Sequence, residues 1–366
     1  MKTLAIKDIC NKDSSALKQK ELLSEGKYPV YGASGIAGYL DTYHQENEYI
    51  GIVKDGSGIG RVSFYPGNSS LIGTMQYILP KKGYNIRYIG YCLQSLDLSK
   101  YKQGAAIPHI YFRDYGERFV NVTDNEDEQR VIVARLDSAF AQIDSLKANA
   151  EKQLSEARKL FQKALEEAMT PKEGWEEKTL KEVSQIAGDY GLNVSSKPFD
   201  GIRYLRITDI TDWGDLNDDK VSAKVDSDKK QEELEEGDIL FARTGATVGK
   251  TLVYRKEFGE CLYAGYLIRY RLKKDCVLPR YMHYITHSKE YYDWVSTNQE
   301  AAAQPNISAR KYNLLPIHYP SLETQHSIVA HLDSLSSNVR ALEEKLKKMK
   351  DECDALKQAM LREVFE

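Results

Sequence analysis

Residues Arg243 to Thr251 read RTGATVGKT, a run of glycines, cations and hydroxyls that could cradle a phosphate. The phosphate loop of nucleotide hydrolases needs four residues between its first glycine and its Gly-Lys-Ser/Thr, because its backbone N–H groups must converge on phosphate oxygens. Here Gly245 and Gly249 enclose only three. GSGIG (Gly56 to Gly60) misses the dinucleotide-binding spacing in the same way. His283 and His287 stand four apart in HYITH and could share a helix face, but Tyr284 stands where a zinc-protease helix carries its Glu. The five cysteines include no Cys-x-x-Cys pair, so small apolar filler is their expected role and no bound metal is expected.

Hydrophobic residues make up 42% of the 366 and charged residues 29%, with no 18-residue apolar run, which predicts a soluble cytoplasmic chain with no membrane span. The length asks for more than one core. The overall charge of −3 hides a strong unevenness. Residues 1–122 carry +4, 123–170 −3, 171–320 −2 and 321–366 −2, and within the third piece 207–238 carries −8 while 239–320 carries +6. Two basic regions are separated by acidic ones.

The elements that position these residues are written twice. YIGIVKDGSGIGRV aligns with DILFARTGATVGKT, placing Lys54 on Arg243, Gly56 on Gly245, Gly60 on Gly249 and Arg61 on Lys250. RYIGYCLQS matches RYMHYITHS, AAIPHIYFRDY matches AAQPNISARKY, and QRVIVARLDS matches QHSIVAHLDS, in the same order and with slowly drifting offset. That is a tandem duplication. Four segments follow: 1–122 and 171–320, rich in short Val/Ile/Tyr runs with Gly, Pro and Asn turns, and 123–170 and 321–366, each a long helix.

In the last segment Ile328, Leu332, Leu335, Val339, Leu342, Leu346, Met349, Cys353, Leu356 and Met360 alternate steps of four and three. The equivalent stripe of the first copy is Ile132, Leu136, Ala139, Ile143, Leu146, Ala150, Gln153, Ala157, Leu160 and Ala164. Large residues on one helix and alanines on the other are complementary, which predicts that the two pack as an antiparallel coiled coil about a pseudo-two-fold axis. The fold class is then α+β, with two pseudo-symmetric mixed domains separated by the helix pair. Duplicated ligand sites in inverted orientation suit double-stranded DNA, whose strands are antiparallel.

Over nearly its whole length the chain resembles the specificity subunits of type I restriction-modification systems. The blocks that carry the resemblance are GKYPVYGASGIAGYLDTY (Gly26 to Tyr43), GWEEKTLKEV (Gly174 to Val183), YLRITDIT (Tyr204 to Thr211), GDILFARTGATVGK (Gly237 to Lys250) and the Leu-Glu-x-Gln lead into the last helix. The first copy departs by having Asp-Glu-Gln before its helix. The resemblance implies a non-catalytic DNA reader: two target-recognition domains that each contact half of a split, asymmetric site, and helices that set the spacer and dock two methyltransferase subunits. Restriction subunits could join, and S-adenosylmethionine would sit on the methyltransferase, leaving this chain without a cofactor. The absence of any Pro-Pro agrees, since N6-adenine methyltransferases hold the flipped base with an Asn/Asp-Pro-Pro-aromatic motif.

DNA readers draw affinity from contacts to phosphate and sequence from contacts to base edges. Candidates in the glycine loops are Lys54, Ser57 and Arg61 with Arg243, Thr244, Thr247 and Lys250, where glycine allows close backbone approach. In the Pro-turn blocks they are His109, Tyr111 and Arg113 with Gln304, Asn306, Ser308, Arg310 and Lys311; here the copies differ, so different half-sites are expected to be encoded here. Arg206 and Thr208, with Tyr31 and Ser34 at the matching place, complete the set. The rival readings are solvated hairpin turns, a purely structural coiled-coil adaptor, a coiled-coil DNA-binding adaptor outside restriction, and a nucleotide-binding enzyme using Arg243 to Thr251.

Overall fold

A computed structural model describes residues 1–104, 108–225, 233–299 and 305–366. Its contacts divide into two units, Met1–Lys152 with Glu344–Glu366, and Gln153–Glu343. Division by contact therefore cuts through both long helices, whereas division along the chain gives each helix a segment of its own.

In the first unit the strands are β1 (Lys2–Ala5), β2 (Cys10–Ser14), β3 (Tyr28–Gly32), β4 (Gly35–Leu40), β5 (Tyr49–Val53), β6 (Val62–Tyr65), β7 (Ser70–Leu71), β8 (Met75–Pro80) and β9 (Phe119–Val122). The main sheet is antiparallel in the order β2-β8-β5-β6. β5, Tyr-Ile-Gly-Ile-Val, is buried along its whole length, as a central strand covered on both faces must be. A second sheet, β4-β3-β7, pairs β3 parallel to β7, and β1 closes on β9. Short helices α1 (Ile6–Ile9), α2 (Ile86–Ser95) and α3 (Phe112–Tyr115) precede α4 (Glu126–Met169). The side chain of Asn85 caps α2 by accepting from the N–H groups of Arg87 and Tyr88.

The second unit repeats this plan with β10 (Glu176–Thr179), β11 (Ser184–Tyr190), β12 (Ser196–Pro198), β13 (Arg203–Leu205), β14 (Val221–Ala223), β15 (Ile239–Ala242), β16 (Thr251–Val253), β17 (Cys261–Tyr263), β18 (Leu267–Leu272) and β19 (Pro316–Tyr319). Its main sheet runs β11-β18-β15-β16, β13 lies parallel to β17, and β10 closes on β19. Helices α5 (Pro279–Ile285), α6 (Lys289–Asn298) and α7 (Ala309–Tyr312) precede α8 (Leu322–Phe365). The fold is α+β in both halves, as the sequence pattern predicts.

Each long helix has 44 residues and no Gly or Pro. Within the first unit, Leu136, Ile132, Val133 and Phe140 of α4 share a core with Leu361, Phe365, Met360 and Val364 of α8 and with Tyr88 and Tyr91 of α2. The helix segments are antiparallel there: Asp144 pairs with Lys357 and Glu151 with Lys350, so partners advance by seven on one helix while retreating by seven on the other. Lys147 also pairs with Asp354. Within the second unit, Phe161 and Leu165 of α4 join Leu332 of α8 in one core, with Ala164, Ala168, Ile328, Leu335 and Val339 packed against it. Alanine opposite leucine is the complementarity expected of the pair.

Part of the predicted seam is corrected. Leu146, Leu160 and Leu356 are exposed at 58%, 60% and 51%, whereas the seam passes through Lys147, Leu154, Phe161 and Leu361. Ile143 and Cys353 are buried on it, and Leu342, Leu346 and Met349 are half-buried. A strict seven-residue repeat drifts by about 20° per heptad across a straight α-helix. The contact face therefore passes to the neighbouring residue, leaving the heptad leucines on its margin.

Two of the repeated blocks meet where each long helix starts. Buried Gln129 donates to the carbonyls of Gly83 and Thr123 at 2.9 Å and accepts from the Asn85 N–H at 2.7 Å. Gln325 makes the same three bonds, to Cys276 and Pro320 and from Leu278, at 2.8 to 2.9 Å. About two turns on, the Tyr91 hydroxyl donates to Asp137 beside Arg87, and the Tyr284 hydroxyl donates to Asp333 beside Arg280. One amide side chain thus satisfies three otherwise buried backbone groups. Replacing Gln325 or Gln129 by Ala is expected to destabilise the chain by about 2–3 kcal/mol in urea unfolding. Replacing exposed Gln153 by Ala should change it by less than about 0.5 kcal/mol.

Candidate nucleic-acid interface

Both glycine blocks are turns of antiparallel hairpins, β5 to β6 and β15 to β16. A phosphate loop leads from a strand into a helix, whose N-terminus helps hold the anion. Here the chain returns as a strand. RTGATVGKT therefore lacks both the spacing and the context of a nucleotide site.

The glycines do two jobs. All four aligned glycines have positive φ, +80° at Gly56, +84° at Gly60, +71° at Gly245 and +86° at Gly249. A Cβ on Gly249 would lie 2.9 Å from Val295 of α6, and one on Gly60 would lie 2.8 Å from the backbone of Ser99. At Gly56 and Gly245 nothing stands within 4 Å. Close approach thus explains Gly60 and Gly249, but to the protein's own chain, while the first glycine of each loop faces open space.

The glycine loop and the Pro-turn block, far apart in sequence, are joined in each unit by the same backbone ladder. In the first unit Gly56 N–H donates to the Pro108 carbonyl at 3.3 Å and Ile110 N–H to the Lys54 carbonyl at 3.0 Å. In the second Gly245 donates to Pro305 at 2.9 Å and Ile307 to Arg243 at 2.8 Å. Asp55 faces His109 across this bridge, and Thr244 faces Asn306.

Side chains on the bridge differ. His109 hydrogen-bonds through Nδ1 to Asp55, its ring lies 4.1 Å from that of Tyr111, and the Arg113 guanidinium lies 4.5 Å over the Tyr111 ring. Lys54 is half-buried and Ser57 exposed. Arg61 reaches across to donate to the Ala33 carbonyl, bringing the loop beside Ser34, which is exposed at the β3–β4 tip. Tyr31 instead packs its ring 5.0 Å from Tyr65 against the cluster holding Tyr49 and Tyr77, which makes it a packing residue of the sheet.

In the second unit Arg243 donates from Nε to the Asn306 side chain at 3.2 Å and lies 4.8 Å over the Tyr190 ring. The Thr247 hydroxyl donates to the Thr244 carbonyl, and the Ser308 hydroxyl caps α7 by accepting from Lys311 N–H. Lys311 donates to the Asn298 carbonyl, and Arg310 is exposed. Gln304 lies outside the described residues. Arg206 is held by Asp209 and Asp219, both at 2.7 Å, which raises its pKa, and Lys250 pairs with Asp212 at 2.7 Å. Thr208 is exposed beside them. Arg206 and Lys250 thus already have carboxylate partners, supplied by the acidic stretch that precedes β15.

Two participants escaped the sequence reading. Asp55 aligns with Thr244, a difference visible in the duplicated block. Tyr190 ends β11 outside every repeated block, so no pattern pointed to it.

The HYITH pair lies inside the second unit. His283 and His287 are buried, their rings 4.2 Å apart; His287 stacks on Trp213 at 5.3 Å and bonds to the His283 carbonyl at 2.6 Å. Burial holds both imidazoles below their ordinary pKa, and their mutual repulsion lowers that of His283 further. Their place is in packing.

Comparisons with known proteins bear on the whole chain. Residues 1–156 and 172–350 match the family described as type I restriction modification DNA specificity domain. The EcoBI specificity subunit of Escherichia coli is 25% identical over 267 residues, covering 65% of this chain and 56% of that protein. The EcoKI specificity subunit of Escherichia coli strain K12 is 27% identical over 257 residues, covering 65% and 55%. The chain thus spans about half the length of the curated relatives it matches. Among solved structures, a chain from work on complex assembly and conformational transition of the type I R-M system superposes with TM-score 0.73 at 16% identity, over 99% of this chain and 97% of that one. The HsdS subunit from Thermoanaerobacter tengcongensis gives 0.56 at 16%, over 99% and 96%. At such identities these likenesses establish the fold.

Two outcomes follow from this geometry. Gly245→Ala should cost about 1–2 kcal/mol for its left-handed backbone alone, and Gly249→Ala more, because Val295 must also move; thermal unfolding ranks them. Lowering pH through 6.5 should destabilise the second unit: its histidines stay neutral when folded but bind protons when unfolded, so stability is full above about pH 7 and falls below 6.5. All three tryptophans (Trp175, Trp213, Trp294) lie in that unit, so their fluorescence reports its unfolding at pH 7.5 and 5.5.

Proposed function

The chain belongs to the type I restriction-modification DNA specificity family, and from that premise we propose that it is the non-catalytic DNA-reading subunit of a cytoplasmic restriction-modification complex. Each unit reads one half of a bipartite, asymmetric site on double-stranded DNA. The long helices set the unspecified spacer and dock two methyltransferase subunits, which carry S-adenosylmethionine, and restriction subunits complete the nuclease.

The observation that carries this reading is the pair of matching bridges between glycine loop and Pro-turn block. Both units keep the same backbone frame and hang different side chains on it, Lys54, Asp55 and His109 in one, Arg243, Thr244 and Asn306 in the other. A protein that reads two unlike half-sites needs such a frame, because phosphate contacts fix position while side chains at base edges carry sequence. A purely structural coiled-coil adaptor has no use for it.

Exchanging residues 171–320 for the same region of a related chain, followed by methylome sequencing of cells carrying the methyltransferase subunit, should alter one half of the methylated sequence. A change in both halves would sink the modular reading. The wild-type complex should also lose about 10³- to 10⁵-fold in DNA affinity between 50 and 200 mM salt if 6–10 phosphates are contacted. Absence of salt-dependent DNA affinity would favour a purely structural adaptor.

A further inference from the structure

Arg243 differs in what holds it from the carboxylate-paired arginines of the second unit, and from Arg203, which is buried against the Asn217 and Asp219 carbonyls. Arg206, Arg255, Arg269, Arg271 and Arg280 each close on a carboxylate, from Asp209, Asp215, Asp189, Asp238 and Asp333 respectively. Arg243 instead gives its Nε–H to the neutral amide oxygen of Asn306, and the Tyr190 ring lies under its guanidinium. Both supports are themselves anchored. Asn306 is fixed through the backbone bridge to Thr244, and the Tyr190 hydroxyl accepts from the Ala309 N–H at 3.0 Å.

An amide and an aromatic face set the direction of a guanidinium without cancelling its charge. Among the described residues, neither Nη of Arg243 donates to a protein group. What remains is a planar pair of N–H donors held at a set angle, half-buried, with Tyr190 and Tyr266 exposed at 44% and 58% beside it; the Tyr266 carbonyl accepts from the Arg243 backbone at 3.0 Å. A phosphate contact needs charge and reach, which a solvated Arg310 already offers. A fixed fork is what bidentate recognition of guanine O6 and N7 requires.

Resting on the reading that this unit binds DNA, we infer that Arg243 recognises a guanine in the half-site of the second unit, with Asn306 and Tyr190 as its positioning residues. Among the described residues, the first unit has no counterpart of the fork. Lys54 stands at the place of Arg243, and His109, tied to Asp55, at that of Asn306. The requirement for guanine at this register therefore belongs to one half-site alone.

The test uses the complete complex with its methyltransferase subunits and competition binding against duplexes randomised in one half-site at a time. Wild type should demand guanine at one position of the half-site assigned to residues 171–320. Arg243→Lys keeps the charge but removes the fork, and Asn306→Ala removes the Nε acceptor; each should relax that position by about 10- to 100-fold while the other half-site stays unchanged. Asn306→Gln keeps a neutral amide acceptor and should keep more of the preference than Asn306→Ala. Arg243→Lys leaves the backbone bridge intact, so the test stands even where Asn306→Ala folds poorly. Loss of affinity for all sequences alike on Arg243→Ala, with the salt slope reduced by about one, would make Arg243 a phosphate contact and overturn the inference. Unaltered guanine preference in Arg243→Lys overturns it equally. Wild-type complex without any sequence preference would instead remove the DNA-reading function itself.

Discussion

Two backbone hydrogen bonds per unit tie the glycine loop to the Pro-turn block, and the candidate site exists only because of them. Backbone bonds are indifferent to side-chain identity. Gly56 to Pro108 and Ile110 to Lys54 are therefore reproduced by Gly245 to Pro305 and Ile307 to Arg243, although the residues between them have diverged. The first glycine takes a positive φ to present its N–H, and the proline presents its carbonyl while offering no N–H of its own. Selection on what is read can then act on Asp55, His109, Thr244 and Asn306 without disturbing the frame.

Charge is arranged around that frame by subtraction. The second unit has a strongly acidic stretch followed by a basic one, and the structure shows why the two belong together. Asp209, Asp212, Asp215 and Asp238 each meet a cation of the sheet or its hairpins, at Arg206, Lys250, Arg255 and Arg271. Asp209 and Asp238 are fully buried, so these pairs must be well bonded, since an unpaired buried charge costs several kcal/mol. Arg243, held by an amide and a ring, keeps its charge. A net-charge profile of the sequence locates the basic stretch but cannot tell a neutralised cation from an available one.

The repeats made the fold legible to a large extent. Four ordered blocks named the duplication, and they pair in space: glycine loop with Pro-turn block, and the Arg-x-x-x-Tyr helix with the Gln and Asp that open the long helix. What the sequence concealed was local. Tyr31 was read as a DNA contact from its place matching Arg206, yet its ring packs against an aromatic cluster. Tyr190 reaches Arg243 from a strand in no repeated block. Gln129 and Gln325 were seen only as matched letters, because two of each buried amide's three bonds depend on chain segments 44 to 49 residues away. Leu146, Leu160 and Leu356 were assigned to the seam by their heptad spacing, and the drift of that spacing across the helix leaves them exposed.

That phase also constrains how the long helices can change. α4 buries Leu136 and Phe140 in one core and Phe161 and Leu165 in another, and α8 does the same with Leu332 and then Leu361 and Phe365. Both buried faces of a helix must keep their directions when residues are added between them. One inserted residue turns everything beyond it by about 100°, moving Phe161 off its core, whereas seven residues turn it by only about 20° short of two full turns. Insertion in α4 must be matched in α8, since Asp144–Lys357 and Glu151–Lys350 lock the two in register. Length in this architecture can therefore change by paired insertions close to whole turns, such as a heptad, and not by single residues.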